Sequence, residues 1–385
     1  MNKKSLLLLM TACTIFQYNF IFADGYTRLN WGCTCSTEGT GSGTLIAAYN
    51  NTSTNSCQII ACKTGSSSTC SQQTSKLSFS GEQNVSIAVA NTDTAIYVAF
   101  SNYNATQSIV RVASYTDAGG FYMPPNPIVL NSDPTAFPLV QWYGLSTTDN
   151  SVFLATEAIV NNQSVVALFK LSLTDLSILI PPTSLAKNTA DKSIFLYWYQ
   201  QTSNPGAGLY LLRGHATDQV EVYTVDLATP SITYVTNNDL SSVFYALTTC
   251  ATSQDYLVFG GMQGGSYHGY FQKFTIASDH SFTSETSFAL SDSLFVNRVE
   301  KCGCTNSQLL VAATQGFYTF YATDWTNPIS SQLGDNSFAD CCWCCTDNTT
   351  IAVNYNNAQG SNAAYIWQQA GGSFTTICTL PNPPA

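Results

Sequence analysis

Apolar residues in this chain come in short runs separated by tight polar breaks, and within many runs large and small or polar positions alternate. Two such runs around a brief turn predict a β-hairpin. The stretch Phe338 to Ala352 shows the pattern: an apolar run through Cys341, Cys342, Trp343, Cys344 and Cys345, a break at Thr346-Asp347-Asn348, then a second run from Ile351 to Tyr355. The same grammar recurs upstream, with second strands predicted to begin near Leu45, Ile96, Val152, Leu209, Tyr256, Leu309 and Ile351, 42 to 57 residues apart.

The recurrence is visible residue by residue. Val85 to Val89 is followed by the break Asn91-Thr92-Asp93-Thr94 and then by Ala95 to Phe100; Gln141 to Leu145 is followed by Thr148-Asp149-Asn150 and then by Val152 to Ala155. Unit four departs most, because Ser193 to Gln200 and Gly208 to Arg213 are separated by a longer loop of Gln, Thr, Ser, Asn, Pro, Gly and Ala. Further strand-like runs follow each hairpin, among them Ser108 to Ala113, Val165 to Leu173, Val220 to Val225, Tyr270 to Ile276 and Ala364 to Gln368. Four strands per unit, repeated about seven times, predict an all-β, seven-bladed β-propeller of four-stranded antiparallel blades. A series of sandwich domains is the competing reading, but no Pro- and Gly-rich linker interrupts the spacing. In pattern the chain resembles secreted members of the β-propeller superfamily, the WD40- and YVTN-like group. It lacks the Gly-His and Trp-Asp signatures of WD40 blades and the double glycine of kelch blades, so the resemblance assigns no functional residue.

Composition supports the strands: charged residues make up only 9 % of the 385, fewer than helical surfaces usually carry. The N-terminus reads as a secretory signal over residues 1–23, with Lys3 and Lys4 ahead of an apolar run from Leu6 to Phe22 that ends at Ala23-Asp24. The propeller then occupies 24–385 as one domain. A lipoprotein signal at Cys13 is the competing reading, and the apolar run continuing to Phe22 argues against it. No later stretch is long and apolar enough to be a transmembrane helix, so secretion, a periplasm or the cell surface is the expected location. Without the leader, 11 basic residues face 23 acidic ones. An acidic surface repels phosphate backbones, which excludes nucleic acid as a partner.

Thirteen cysteines remain, and in an exported chain they are read first as disulfides. Cys33, Cys35, Cys302, Cys304, Cys341, Cys342, Cys344 and Cys345 fall in the first strands of units one, six and seven, which are neighbours in a closed ring. Disulfides between these blades are expected, with unit seven as the bridge. Side chains alternate along a strand, so Cys342 and Cys344 face one neighbouring blade while Cys341 and Cys345 face the other. Four thiolates on adjacent strands would equally suit zinc or copper(I), the metal alternative. Cys62 with Cys70 is a local staple, with Cys57 as the competing partner; Cys250 and Cys378 have no evident mate.

Catalytic motifs are absent. His215 and His268 read as turn or loop residues, all three histidines, His280 included, as solvated imidazoles, and Asp93, Asp149, Asp255 and Asp347 as turn-stabilising acids. The Gly-rich stretches at 39–43 and 260–265 read as turns, not phosphate loops. No catalytic residue, cofactor or metal ligand is assigned. Six Asn-x-Ser/Thr sequons occur, at Asn50, Asn51, Asn84, Asn104, Asn162 and Asn348. The main expectation is a secreted, non-catalytic module for a protein or glycan partner; Tyr115, Phe121, Tyr122, Trp325 and Trp367 are the candidate anchors, most of them expected to pack between blades instead. The alternative is a hydrolase or lyase acting on a sugar or lactone at the channel mouth, where Glu38, Glu157 and Glu300 are the acids to test.

Overall fold

The structure is a computed structural model. It describes the strands between Tyr26 and Thr379, together with residues 54–55, 81–82, 95, 104, 106–107, 117–119, 123–125, 149–150, 173–177, 206–207, 227–230, 240 and 277–281. The predicted leader lies outside these residues.

Every described element is a strand, a turn or an irregular connection, and none is a helix. The strands sort into seven antiparallel sheets, each drawn from one continuous stretch: 26–80, 83–131, 140–189, 193–239, 244–289, 296–332 and 337–379. Six of them run in simple chain order, first strand to fourth. The second strands begin at Gly43, Ile96, Ser151, Gly208, Leu257, Gln308 and Thr350, each within two residues of the expected position. First strands are neighbours in chain order from sheet to sheet, and that of sheet seven (Ser337–Trp343) lies against that of sheet one (Tyr26–Cys35).

Sheet two departs from four strands. Its outer position is divided between Gly120–Tyr122 and Ile128–Asn131, both paired with the third strand (Ser108–Thr116). The interruption is Pro124-Pro125 followed by Pro127, residues with no N–H to give the ladder. The other strand prolines, Pro181, Pro182 and Pro328, sit in fourth strands, where one edge is unpaired. Register shifts opposite Leu168, Lys170 and Leu171 absorb the first two.

Middle strands are covered on both faces: Ile96 to Asn102 are all buried. Alternation sends Ile96, Val98 and Phe100 into a core with Ile46, Ala48, Ile59 and Ala61 of sheet one. It sends Tyr97 and Ala99 the other way, against Val152, Leu154 and Phe169 of sheet three. The second strand of sheet three (Ser151–Val160) repeats this, with Phe153 and Ala155 packing on Leu196, Trp198 and Leu211 of sheet four. Tyr199, Tyr210 and Leu212 then join Leu257, Phe259 and Phe274 of sheet five. None of these described cores, which run from sheet one to sheet five, belongs to one sheet, so sheets two, three and four each bury apolar faces against both neighbours.

Candidate functional site

The densest described group of ionisable side chains lies between sheets three and four. Arg213 lies within a run of buried residues, Tyr210 to His215, on the second strand of sheet four (Gly208–His215), directly opposite Glu221 on the third (Gln219–Asp226). Glu157 arrives from the second strand of sheet three. Arg213 Nη2 donates to Glu157 Oε1 at 2.6 Å and Nη1 to Glu221 Oε2 at 3.2 Å, while the Tyr223 hydroxyl donates to the same Glu221 oxygen at 2.6 Å. His215 Nε2 stands 3.2 Å from Glu221 Oε2, out of line for a hydrogen bond, and among the described residues Glu221 Oε1 and both His215 nitrogens have no hydrogen-bond partner.

Burial by itself would raise the Glu221 carboxyl and lower the Arg213 guanidinium. In Glu221 the adjoining His215 and Tyr223 and the Arg213 charge outweigh burial and hold the acid below its ordinary range. In Arg213 the two carboxylates more than offset burial, so its pKa is raised. Burial, and then the Glu221 charge, push the Tyr223 phenol well above its ordinary value. All these side chains are closed off from solvent. The cluster is therefore an electrostatic joint between sheets.

A second polar joint ties sheet one to sheet two. Arg111 forks onto Glu82 through Nη1–Oε2 at 2.7 Å and Nη2–Oε1 at 2.8 Å, and its guanidinium lies 4.6 Å from the centre of the Phe79 ring. Asn102 Nδ2 donates to Glu82 Oε2 at 2.8 Å and approaches Cys57 Sγ at 3.4 Å. Asn50 and Asn84 clasp each other: Asn50 Nδ2 donates to the Asn84 carbonyl at 2.8 Å, and the Asn84 N–H donates to Asn50 Oδ1 at 2.7 Å. Cys57 is a buried free thiol, pushed up to about 12 by burial and by the Glu82 charge.

Several sequence expectations are corrected. Cys57 cannot be the competing partner of Cys62, because both lie on the third strand of sheet one (Ser56–Lys63), five residues and so ~16 Å apart. His215 is a buried strand residue, not a turn residue, because alternation places it on the same face as Arg213 and Leu211. Tyr115, as expected of most of the candidate anchors, is packed away: it is buried in the third strand of sheet two, its ring centre 5.0 Å from that of Phe121. Glu157 is held by Arg213 and is not a free acid. The glycines at 260 and 261 belong to the second strand of sheet five (Leu257–Gln263), opposite a register shift between Ala246 and Thr248, which is where a strand tolerates glycine.

His280, which the sequence left unplaced, lies in the turn before the fourth strand of sheet five, at φ 65°. One expectation keeps its place. Asp149 supports its turn by accepting from Ser151 Oγ at 2.8 Å and pairing with Lys170 at 3.0 Å. The same device recurs unnamed by the sequence reading: Asp175, Asp226 and Asp279 each accept from backbone and hydroxyl donors two or three residues on, between third and fourth strands of consecutive sheets. An Asp followed two or three residues later by Ser or Thr was the available signal.

Cys33 and Cys35 lie on the first strand of sheet one, Cys302 ends that of sheet six (Val296–Cys302), and Cys341 and Cys342 lie on that of sheet seven. Cys62 lies on the third strand of sheet one. Cys70, Cys304, Cys344, Cys345, His268, Glu38, Asp93, Asp255 and Asp347 lie outside the described residues. Glu300 falls on the first strand of sheet six, Trp325 on the fourth strand of sheet six and Trp367 on the third of sheet seven. Among the described residues there is no disulfide, and no group of three His, Cys, Asp or Glu side chains is placed to hold a metal ion.

No family model matches the chain, and no curated protein sequence matches it. Solved structures do. Sqt1 of Saccharomyces cerevisiae is 10% identical with a TM-score of 0.54, the match covering 88% of this chain and 83% of that one. The periplasmic gluconolactonase of Pseudomonas aeruginosa is 13% identical with a TM-score of 0.52, covering 92% and 95%. A putative 6-phosphogluconolactonase from Bacteroides uniformis is 10% identical, also at 0.52, covering 90% and 94%. At such identities the likeness is one of fold, an all-β architecture of propeller type.

Proposed function

We propose that this chain is an exported, closed seven-bladed propeller that opens neutral sugar lactones at one end of its ring. The observation that carries the reading is the full-length fold likeness to two solved structures described as lactonases, one of them periplasmic. Charge narrows the substrate. Basic residues are few, and Arg111, Arg213 and Lys170 are already paired with carboxylates, which favours an uncharged lactone over a phosphorylated one. The test is base uptake at constant pH by the purified mature chain with glucono-1,5-lactone. Saturable hydrolysis above the spontaneous rate is expected; a rate equal to buffer at micromolar protein, for this and other neutral sugar lactones, sinks the reading.

A binding module for a protein or glycan is the second reading, and one observation favours it. Tyr122 is 51 % exposed, and Ile178 and Leu179 are 46 % and 49 % exposed. All three follow the turn between third and fourth strands in adjacent sheets, so they share one rim. Glycan-array and co-purification experiments with Tyr122→Ser and Leu179→Ser would separate this reading from the first.

The sulfur chemistry is part of the proposal. Cysteines fall on three neighbouring first strands, which supports cross-links between those sheets, and a disulfide joining the first and last sheets would add about 4 to 5 kcal/mol in the entropy model. Non-reducing peptide mapping checks this. Free thiols at Cys33, Cys35, Cys302, Cys304, Cys341, Cys342, Cys344 and Cys345 would remove it, and zinc or copper co-purifying with them would turn it into a thiolate metal site.

A further inference from the structure

We infer that, of the three sequons whose side chains the structure describes, Asn104 carries an N-linked glycan in the folded chain and Asn50 and Asn84 carry none. The inference rests on export and is independent of the lactone reading. Asn50 and Asn84 are 3 % and 2 % exposed, and each uses its side chain to bond the other sheet or its own. A sugar on the Asn50 nitrogen would part sheet one from sheet two, and one on the Asn84 nitrogen would break its bonds to Ser101 and Asn102 inside sheet two. Asn104 sits in the tight connection between the second strand (Ile96–Tyr103) and third strand of sheet two, half-buried, with Thr106 exposed beside it.

The local geometry leaves the reacting atom available. Asn104 Oδ1 accepts from the Thr106 N–H, the Thr106 hydroxyl and the Gln107 N–H, each at 2.9 Å. Its Nδ2 has no hydrogen-bond partner among the described residues. The Thr106 hydroxyl is thus already held against the carboxamide whose nitrogen must react, while the three bonds to oxygen fix the turn without using that nitrogen.

The co-reactant is a polyprenyl-pyrophosphate-linked oligosaccharide presented by a membrane-bound transferase. Nδ2 forms a bond to the anomeric carbon and the carbon–oxygen bond to pyrophosphate breaks. The electron pair leaves with the lipid pyrophosphate, and the Nδ2 proton passes to a base of the transferase.

The test is secretion of the full chain from a glycosylating eukaryotic cell, followed by glycosidase treatment in heavy-oxygen water and peptide mapping of the soluble, folded fraction. The expected result is label at Asn104, with Asn50 and Asn84 unmodified. Asn104→Asp keeps the accepting oxygen and deletes the nitrogen, so it should fold, secrete and lose the label from that peptide; Thr106→Ala should lose it as well. Label at Asn50 or Asn84 in folded protein, or no label at Asn104, overturns the inference.

Discussion

Arg213 of sheet four and Glu157 of sheet three meet at 2.6 Å, with the guanidinium wholly shut off from water. Breaking a buried pair from one side costs about 3–5 kcal/mol, because the remaining charge has no solvent. Arg213→Met, which strands both Glu157 and Glu221, should lower the free energy of unfolding in urea by about that amount. A loss under about 1 kcal/mol would mean that the joint contributes little to stability.

The acid limb of stability follows from Glu221. Its carboxyl is held below the ordinary range in the fold, so unfolding takes up protons in acid. The stability it lends is complete above the ordinary carboxylate range and is lost as pH falls through the lower, folded value. Melting temperature should therefore be flat near neutrality and drop in acid, and Glu221→Gln, though less stable at neutral pH, should show a shallower acid decline. An identical acid slope in wild type and variant would assign the effect to other carboxylates.

Cys57 should be chemically silent in the native state. A thiol pushed up to about 12 supplies almost no thiolate at pH 8, and the side chain is buried besides. Mass-spectrometric labelling of this residue by iodoacetamide should wait for denaturant, and fast labelling in buffer would contradict the burial.

Gly214 marks a close approach within sheet four. A methyl placed there would stand 2.2 Å from Cε1 of Phe195 on the first strand (Ser193–Gln201). Gly214→Ala should cost roughly 1–3 kcal/mol as overpacking, and the addition of Phe195→Leu should recover much of it. If the double variant is no more stable than the single, backbone conformation and not the ring is responsible.

The strands were legible because each is a local event. Ile96 to Phe100 has β-branched and aromatic residues in a run bounded by turn residues, and the structure starts the strand at Ile96. The joints were not legible, because their partners are far apart in sequence: Glu157 and Arg213 are 56 residues apart and Asn50 and Asn84 are 34 apart. One cue was present. In a strand covered on both faces, period two puts Arg213 beside Leu211, so a charge there has to be buried and must find a counter-charge. The turn reading of His215 failed because Gly214 suggested a break, whereas this glycine makes room for Phe195 inside a continuing strand. The outer strand of sheet two lost its regular length to prolines whose effect depends on where the sheet ends.

Since each sheet is spun from one unbroken stretch, the described ladders contain no main-chain rung between the last sheet and the first. Among the described residues the last sheet and the first adjoin through their first strands, Ser337–Trp343 beside Tyr26–Cys35, with no woven clasp between them. That junction is of the same kind as those between consecutive sheets, so the described part can be recut: a linker from Thr379 to Tyr26, with a new opening in a loop between two sheets, would preserve every described rung.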